Sequence, residues 1–196
     1  MCNLYSMTAT VDEMRRVFGS FDGDATNFPP FDEIFPGQTA PVLRRTAEGG
    51  LKLEQMKWGF PGPQAAGSRA VTNVRNLSSP FWRNALQQPG RRCIVPVTSF
   101  CEWTGEVGSK QKVWFELTKE HSSRLFAFAG LWRPGEGGPF MAFLTCEANG
   151  IVGEVHPKAM PMMLRPSEIP HWLDSPRENA CALARPFEDT LMQRVG

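Results

Sequence analysis

Val11, Met14, Val17 and Phe18 recur at the three- and four-residue spacing of a single helix face, just after Thr10 and before Gly19. Thr10 and Glu13 make a capping box, whose hydroxyl and carboxylate satisfy amides left open at a helix start, so the pattern predicts a short amphipathic helix over 11–18. Ser79-Pro80 marks a second start, because proline at the first helical position brings a preset φ and lacks only an amide that would have no partner. This helix runs to about Gln88 and stops at Pro89-Gly90. Elsewhere the pattern changes. The runs 40–45, 51–60, 91–103, 112–118, 124–132 and 139–146 are apolar, aromatic or β-branched, and Gly, Pro or polar turns bound them, which predicts strands. Segment 20–38 reads as loop. Segment 146–173 turns helical and loop-like, broken by Pro161, Pro166 and Pro170, and the tail 175–196 is weakly patterned. These elements predict an α+β fold of mainly antiparallel, twisted β-sheets with a few short helices.

Composition adds boundaries to this picture. At 196 residues, with 41% apolar and 21% charged positions and no internal repeat, the chain reads as a single globular domain over 1–196. A formal net charge of +1 excludes a globally basic nucleic-acid binder, so charge has to be read by position. Arg69, Arg75, Arg83, Arg91 and Arg92 are interleaved with Trp58, Phe81 and Trp82, a mixture that can hold single-stranded nucleic acid through phosphate contacts and base stacking. A merely solvated face fits the same residues. The opening residues carry no basic region followed by an apolar stretch, and no apolar run approaches 18 residues. The expectation is a soluble cytoplasmic protein with no membrane partner. Five cysteines, at 2, 93, 101, 146 and 181, are odd in number and form no CxxC pair, which fits a reduced compartment with no metal site. Trp114 and Trp132 lie in predicted strands and read as packing.

The residue richest in chemistry is Cys2. Removal of Met1 would leave an α-amine beside a thiol, with ordinary pKa values of about 8 and 8.5. An aldehyde meeting that pair forms a Schiff base with the amine, and the thiol then closes a five-membered thiazolidine ring. An incidental buried thiol is the plain alternative. Glu102 ends the apolar run Ser99-Phe100-Cys101-Glu102-Trp103, where desolvation would raise its pKa and suit it to general acid–base work; a salt-bridged surface residue is the alternative. His156, followed by Pro157, could supply a proton near neutral pH or serve only as a hydrogen-bonding side chain. Asn73 and Arg75 alternate onto one face of Val71–Asn76, suiting an oxygen-rich ligand such as phosphate or simply forming a polar strand face. No GxSxG, HExxH, P-loop or dinucleotide fingerprint is present.

Several motifs occur in a distinctive order: Met1-Cys2; Pro36-Gly37 with Ala40-Pro41-Val42; Trp58-Gly59-Phe60; Asn73-Val74-Arg75; Phe81 with Arg83; Arg92-Cys93-Ile94-Val95-Pro96; Phe100-Cys101-Glu102-Trp103; Ala129-Gly130-Leu131-Trp132; Thr145-Cys146-Glu147-Ala148-Asn149; and His156 before Met160-Pro161. Over about 1–165 this order resembles the SRAP family, SOS response-associated peptidases that crosslink to abasic sites in DNA. The resemblance implies a barrel-like arrangement of antiparallel sheets and a DNA-damage protein that senses and shields abasic sites in single-stranded DNA. Cys2 would form the thiazolidine crosslink, Asn73 would orient the adduct, Glu102 would act as acid and base, and His156 would assist opening of the sugar ring or stabilise the adduct. Arg75, Trp58, Arg69, Arg83 and Pro36 would contact DNA. No cofactor is implied, and the expected state is a monomer that joins the nucleoid during DNA damage. A thiol autopeptidase that removes Met1 and a non-covalent single-stranded DNA module are the competing readings, with weak lyase activity as a side reaction. Three departures stand out. Asn3-Leu4 replaces the Gly-Arg of many members, Glu33 stands near a position where relatives have Asn, and loop 61–70 lacks bulky aromatics, so DNA affinity is expected to be weaker or differently distributed.

Overall fold

The caps act as their residue types require. In the computed structural model, which describes residues 2–23, 28–62, 70–106, 108–119 and 123–195, the Thr10 hydroxyl accepts from the Glu13 amide at 3.2 Å. The Glu13 carboxylate accepts from the Thr10 amide at 2.7 Å. Helix α1 therefore spans Val11–Phe18 and buries Val11, Met14 and Phe18. Helix α2 (Pro80–Gln87) is capped by Ser79, whose hydroxyl accepts from the Phe81 amide at 3.3 Å, and it turns Trp82 and Leu86 inward. Three shorter helices follow, α3 (Gly150–Gly153), α4 (Ile169–Asp174) and α5 (Arg177–Ala182).

The strands are β1 (Tyr5–Met7), β2 (Phe31–Ile34), β3 (Thr39–Arg45), β4 (Leu51–Trp58), β5 (Asn73–Val74), β6 (Arg92–Val97), β7 (Ser99–Thr104), β8 (Gln111–Leu117), β9 (Phe126–Arg133), β10 (Phe140–Cys146), β11 (Met160–Pro161), β12 (Met163–Leu164) and β13 (Met192–Val195). One sheet has the order β13-β8-β7-β1-β2. The other runs β11-β10-β4-β3-β6-β9-β12, with β5 on β10, and the pairing of β10 with β9 turns its middle into a hydrogen-bonded ring. Pairing is antiparallel except where β10 meets β4 and β5. The fold is thus α+β, mostly antiparallel, with short helices, as expected.

The long run predicted over 91–103 is two strands. At Thr98 the chain leaves the ring and enters the other sheet; the Thr98 amide donates to Ser6 O at 2.9 Å, and its hydroxyl accepts from the Thr8 amide at 3.2 Å. Inside, Tyr5, Trp58, Phe128 and Phe143 pack ring to ring, with centroids 5.2 Å apart for Tyr5–Trp58, 5.0 Å for Trp58–Phe143 and 4.8 Å for Phe128–Phe143. Trp132 is held between the guanidinium groups of Arg44 and Arg91, at 4.5 and 5.0 Å from its centroid, and donates to Gly90 O at 2.9 Å. Among the described residues no helix is long and apolar enough to cross a membrane.

The basic and aromatic stretch anticipated from the sequence does not form a continuous surface. Arg92 and Trp58 are fully buried, Trp82 is buried, and Arg91 is committed to Trp132, so of the described arginines in that set only Arg75 and Arg83 are exposed. The packing is tight where the ring closes. Gly130 pairs with Cys93 on one side and Phe143 on the other, and a Cβ there would lie 2.8 Å from Cys93 Sγ and 3.3 Å from Val95 Cγ2. Gly130→Ala is expected to lower unfolding stability by about 1–3 kcal/mol. In a Cys93→Ala background the same change should cost clearly less, because the opposing sulfur is gone; equal costs in urea melts of both backgrounds would refute the clash.

Candidate active site

Cys2 lies at the entry to β1, beside β7, where the Cys101 amide donates to Leu4 O at 2.9 Å. Its side chain is buried, with Sγ 3.4 Å from Leu4 O. Asn73 reaches it from the other sheet. Because β5 lies parallel to β10, with Asn73 opposite Phe143, the Asn73 amide nitrogen can donate to Cys2 O at 3.1 Å and to Thr72 Oγ1 at 2.9 Å. Asn73 Oδ1 is buried and has no hydrogen-bond partner among the described residues, leaving an open acceptor in low-dielectric surroundings. The site therefore spans the seam between the two sheets.

Glu102 sits in β7 opposite Val113 and is 2% exposed. Burial lifts its carboxyl from the ordinary 4.5 to about 7, while the positive amino terminus works against the shift. The Cys2 thiol is pushed far up, first by burial and then by the negative charge of Glu102. At neutral pH the thiol therefore keeps its proton, and the carboxyl is poised between its two forms.

His156 follows α3, its amide donating to Val152 O at 2.8 Å. Nδ1 lies 2.9 Å from Ala159 O; a carbonyl only accepts, so Nδ1 carries the proton and Nε2 is the basic nitrogen of the neutral ring. Burial lowers its pKa. Arg75 Nη2 donates to Lys158 O at 2.9 Å, tying the His156 loop to β5. Beside this tie opens a cavity of about 460 Å³ whose lining includes Arg75, Thr145, Lys158 and Arg185.

Of the residues singled out in the sequence, Cys2 and Asn73 meet directly, Glu102 acts on Cys2 through its charge, and the Arg75–Lys158 bond carries the His156 loop to the same side. Trp58 differs from expectation. It is 0% exposed, its indole N–H donates to Thr72 O at 3.0 Å, and it braces the Asn73 segment from below without offering a face to DNA. Pro36 is exposed in the turn after β2, which is pinned to the same end of β4 by Gly37 N donating to Trp58 O at 2.8 Å. Arg83 is exposed on α2. Met1, Arg69 and loop residues 63–69 lie outside the described residues. Sequence reasoning passed over Thr72, whose carbonyl holds Trp58 and whose hydroxyl holds Asn73. Only its place beside Asn73 could have signalled that. The departures have partners as well: Asn3 Oδ1 accepts from Trp103 Nε1 at 2.8 Å, and Glu33 pairs with Lys112.

The sequence model of the SOS response associated peptidase (SRAP) family matches residues 1–195. The abasic site processing protein YoaM of Bacillus subtilis is 27% identical over 189 residues, covering 89% of this chain and 79% of that protein. The abasic site processing protein HMCES of Xenopus tropicalis is 26% identical over 208 residues, covering 86% of this chain and 62% of that protein. A crystal structure of a protein from Bacteroides thetaiotaomicron shares the fold, with a TM-score of 0.81 over 98% of this chain and 90% of that one, at 19% identity.

Proposed function

The chain belongs to the SOS response associated peptidase family, and on that premise we propose that it captures abasic sites in single-stranded DNA as a covalent thiazolidine on Cys2. The names of the relatives support abasic sites as the target. The observation that carries the chemistry is the buried Glu102 carboxyl, lifted to about 7, acting on a cysteine that Asn73 holds by its backbone.

In this reading Met1 is removed first, which frees the Cys2 amine. His156 Nε2 takes the anomeric hydroxyl proton of the closed sugar and hands it to the ring oxygen as the ring C–O bond breaks, which gives the ring-opened aldehyde and restores the neutral imidazole. The amine lone pair then attacks the aldehyde carbon, giving a carbinolamine whose N–H can donate to Asn73 Oδ1. Protonated Glu102 gives its proton to the carbinolamine hydroxyl, which leaves as water, and an iminium forms. Sγ attacks the iminium carbon while the thiol proton passes back to the Glu102 carboxylate. The products are a neutral thiazolidine, one water and Glu102 in its starting form. The high thiol pKa fits this order, since the sulfur stays protonated until an electrophile arrives. Arg75 and the adjoining cavity would receive backbone phosphate.

The test is to incubate the purified protein with a single-stranded oligonucleotide carrying one abasic site, with an intact strand as control, and to run a denaturing gel. A band that survives boiling, specific to the abasic strand and with the mass of Met1-free chain plus DNA less one water, is the expected result. No such band from protein shown by mass to lack Met1 would end the reading.

A further inference from the structure

Residues 185–195 belong to the weakly patterned tail, yet they are tied down at both ends. At one end Arg185 pairs with Glu168 and Glu188 with Arg165, while the Cys146 thiol donates to Arg185 O at 3.2 Å. At the other, β13 pairs with β8, which in turn pairs with β7 and sets Val113 opposite Glu102. Between these anchors the segment meets the start of α3, the helix that leads into His156.

Helix α3 is four residues long, too short to hold its shape by its own hydrogen bonds. The tail supplies what it lacks. Asn149, 8% exposed, uses both ends of its amide: Oδ1 accepts from the Val152 amide at 2.9 Å as the cap, and Nδ2 donates to Phe187 O at 2.9 Å and lies 3.3 Å from Met192 Sδ. Beside it the Gly150 amide donates to Asp189 Oδ1 at 2.9 Å. Glycine makes room for this bond, since a Cβ on residue 150 would collide with Asp189 Oδ2. The far end of α3 passes the hold on. The Val152 carbonyl accepts from the His156 amide at 2.8 Å, so the fully buried residue that Asn149 caps is also the one from which His156 hangs.

We propose that residues 185–195 form a strap, and that Asn149 and Asp189 are positioning residues through which it holds His156 where Nε2 reaches the closed sugar. The inference rests on the reading of His156 as the group that opens that sugar. The strap ends one strand away from the strand of Glu102, so it fixes the His156 loop relative to the sheet that carries the acid. The base for ring opening and the acid for loss of water then keep one spacing. Such spacing matters to rate, because a displacement of about 1 Å at a reacting group can cost on the order of 10²-fold.

The test compares crosslinking rates of the Met1-free protein on two single strands. One carries the abasic sugar, which closes into a ring; the other carries in its place a straight-chain aldehyde with no hydroxyl to close upon. Asn149→Ser keeps a cap oxygen but is too short to reach Phe187 O, and Asp189→Ala removes the second hold. Each should slow the abasic strand about tenfold or more and leave the straight-chain strand within about twofold of wild type. Asp189→Asn, which keeps an acceptor for Gly150, should restore the rate, and Gly150→Ala should mimic Asp189→Ala although alanine is the better helix former. Equal slowing of both strands, no slowing of either, or failure of Asp189→Asn to rescue would overturn the strap. His156→Ala running at the wild-type rate on the abasic strand would overturn the ring-opening role and the strap with it. Hydrogen exchange reads the hold without chemistry: residues 150–160 should exchange about tenfold faster in Asp189→Ala while 111–117 keep their wild-type rates. Unchanged exchange over 150–160 would overturn the strap even where crosslinking proceeds. Wild-type protein that crosslinks neither strand, with the exchange difference present, would end the covalent reading and leave the hold standing.

Discussion

Glu102→Gln is expected to slow crosslinking by roughly 10²–10⁴-fold, the usual worth of a positioned general acid, whereas Cys2→Ala removes the stable adduct altogether. The more discriminating result is the pH profile. Amine attack needs the neutral amine, whose fraction rises with pH up to about 8. Loss of water needs protonated Glu102, whose fraction falls as pH passes about 7. The product of the two fractions gives a bell with its maximum between these values and a decline on the alkaline side. In Glu102→Gln that decline should vanish while the acidic limb remains, because the amine is untouched. Single-turnover rates from gels across pH 5.5–9 would show it, and an alkaline limb surviving in the variant would remove Glu102 from the role of acid.

The same carboxyl has a stability signature. Its folded pKa, about 7, lies above its ordinary 4.5, so the native state binds this proton more tightly than the unfolded chain does. The resulting stabilisation is full below 4.5 and is lost as pH rises through about 7. Its size is on the order of 3 kcal/mol. Glu102→Gln, which cannot ionise, should unfold at a urea concentration that varies less between pH 5 and pH 8 than wild type does.

Arg92→Met is expected to be the most damaging single change to the scaffold, at about 3–5 kcal/mol. The guanidinium is 0% exposed and donates to Leu86 O at 2.9 Å, Trp172 O at 3.0 Å and Ser175 O at 2.6 Å. Leu86 lies in the last turn of α2, while Trp172 and Ser175 lie in and just beyond the last turn of α4, where open carbonyls concentrate negative dipole. One cation thus closes the ends of two helices. Methionine fills much of the volume but leaves buried acceptors without donors, each worth about 1–3 kcal/mol. Arg92→Lys should recover only part of the loss, because an ammonium cannot reproduce the planar fork. Urea unfolding measures this directly; a loss below about 1 kcal/mol for Arg92→Met would mean that the carbonyls find other partners.

That arginine also shows where sequence reasoning stops. Arg91 and Arg92 look alike as neighbours in a basic run, yet Arg91 stacks on Trp132 and Arg92 vanishes into the core. Only the fold supplies the carbonyls that make the second acceptable. Trp58, expected to contact DNA, carried a local sign of its burial, since it ends a strand whose buried positions include Leu51, Leu53 and Met56. Helices α1 and α2 were legible because their caps are local chemistry, and the longer strands because apolar runs between turns are local too. Strands β1, β2 and β13 were not. β1 has three residues, all buried, and so no alternation. β2 and β13 are the two edges of their sheet, and their membership depends on backbone pairing that side-chain pattern does not record. The chemical candidates Cys2, Asn73 and Glu102 could be named from residue type, but the Asn73 bond to Cys2 across the seam could not.

That bond joins residues 71 positions apart, and the strand carrying Glu102 reaches β1 over a still longer span. Contacts of such separation form late, after the loops between them have been closed at an entropic cost. A chain still folding therefore displays the Cys2 thiol to any electrophile it meets, and only the finished protein withdraws it. On the proposed reading, selectivity for an abasic-site aldehyde over stray metabolic aldehydes would accordingly be acquired on a clock, at the moment when the two sheets dock.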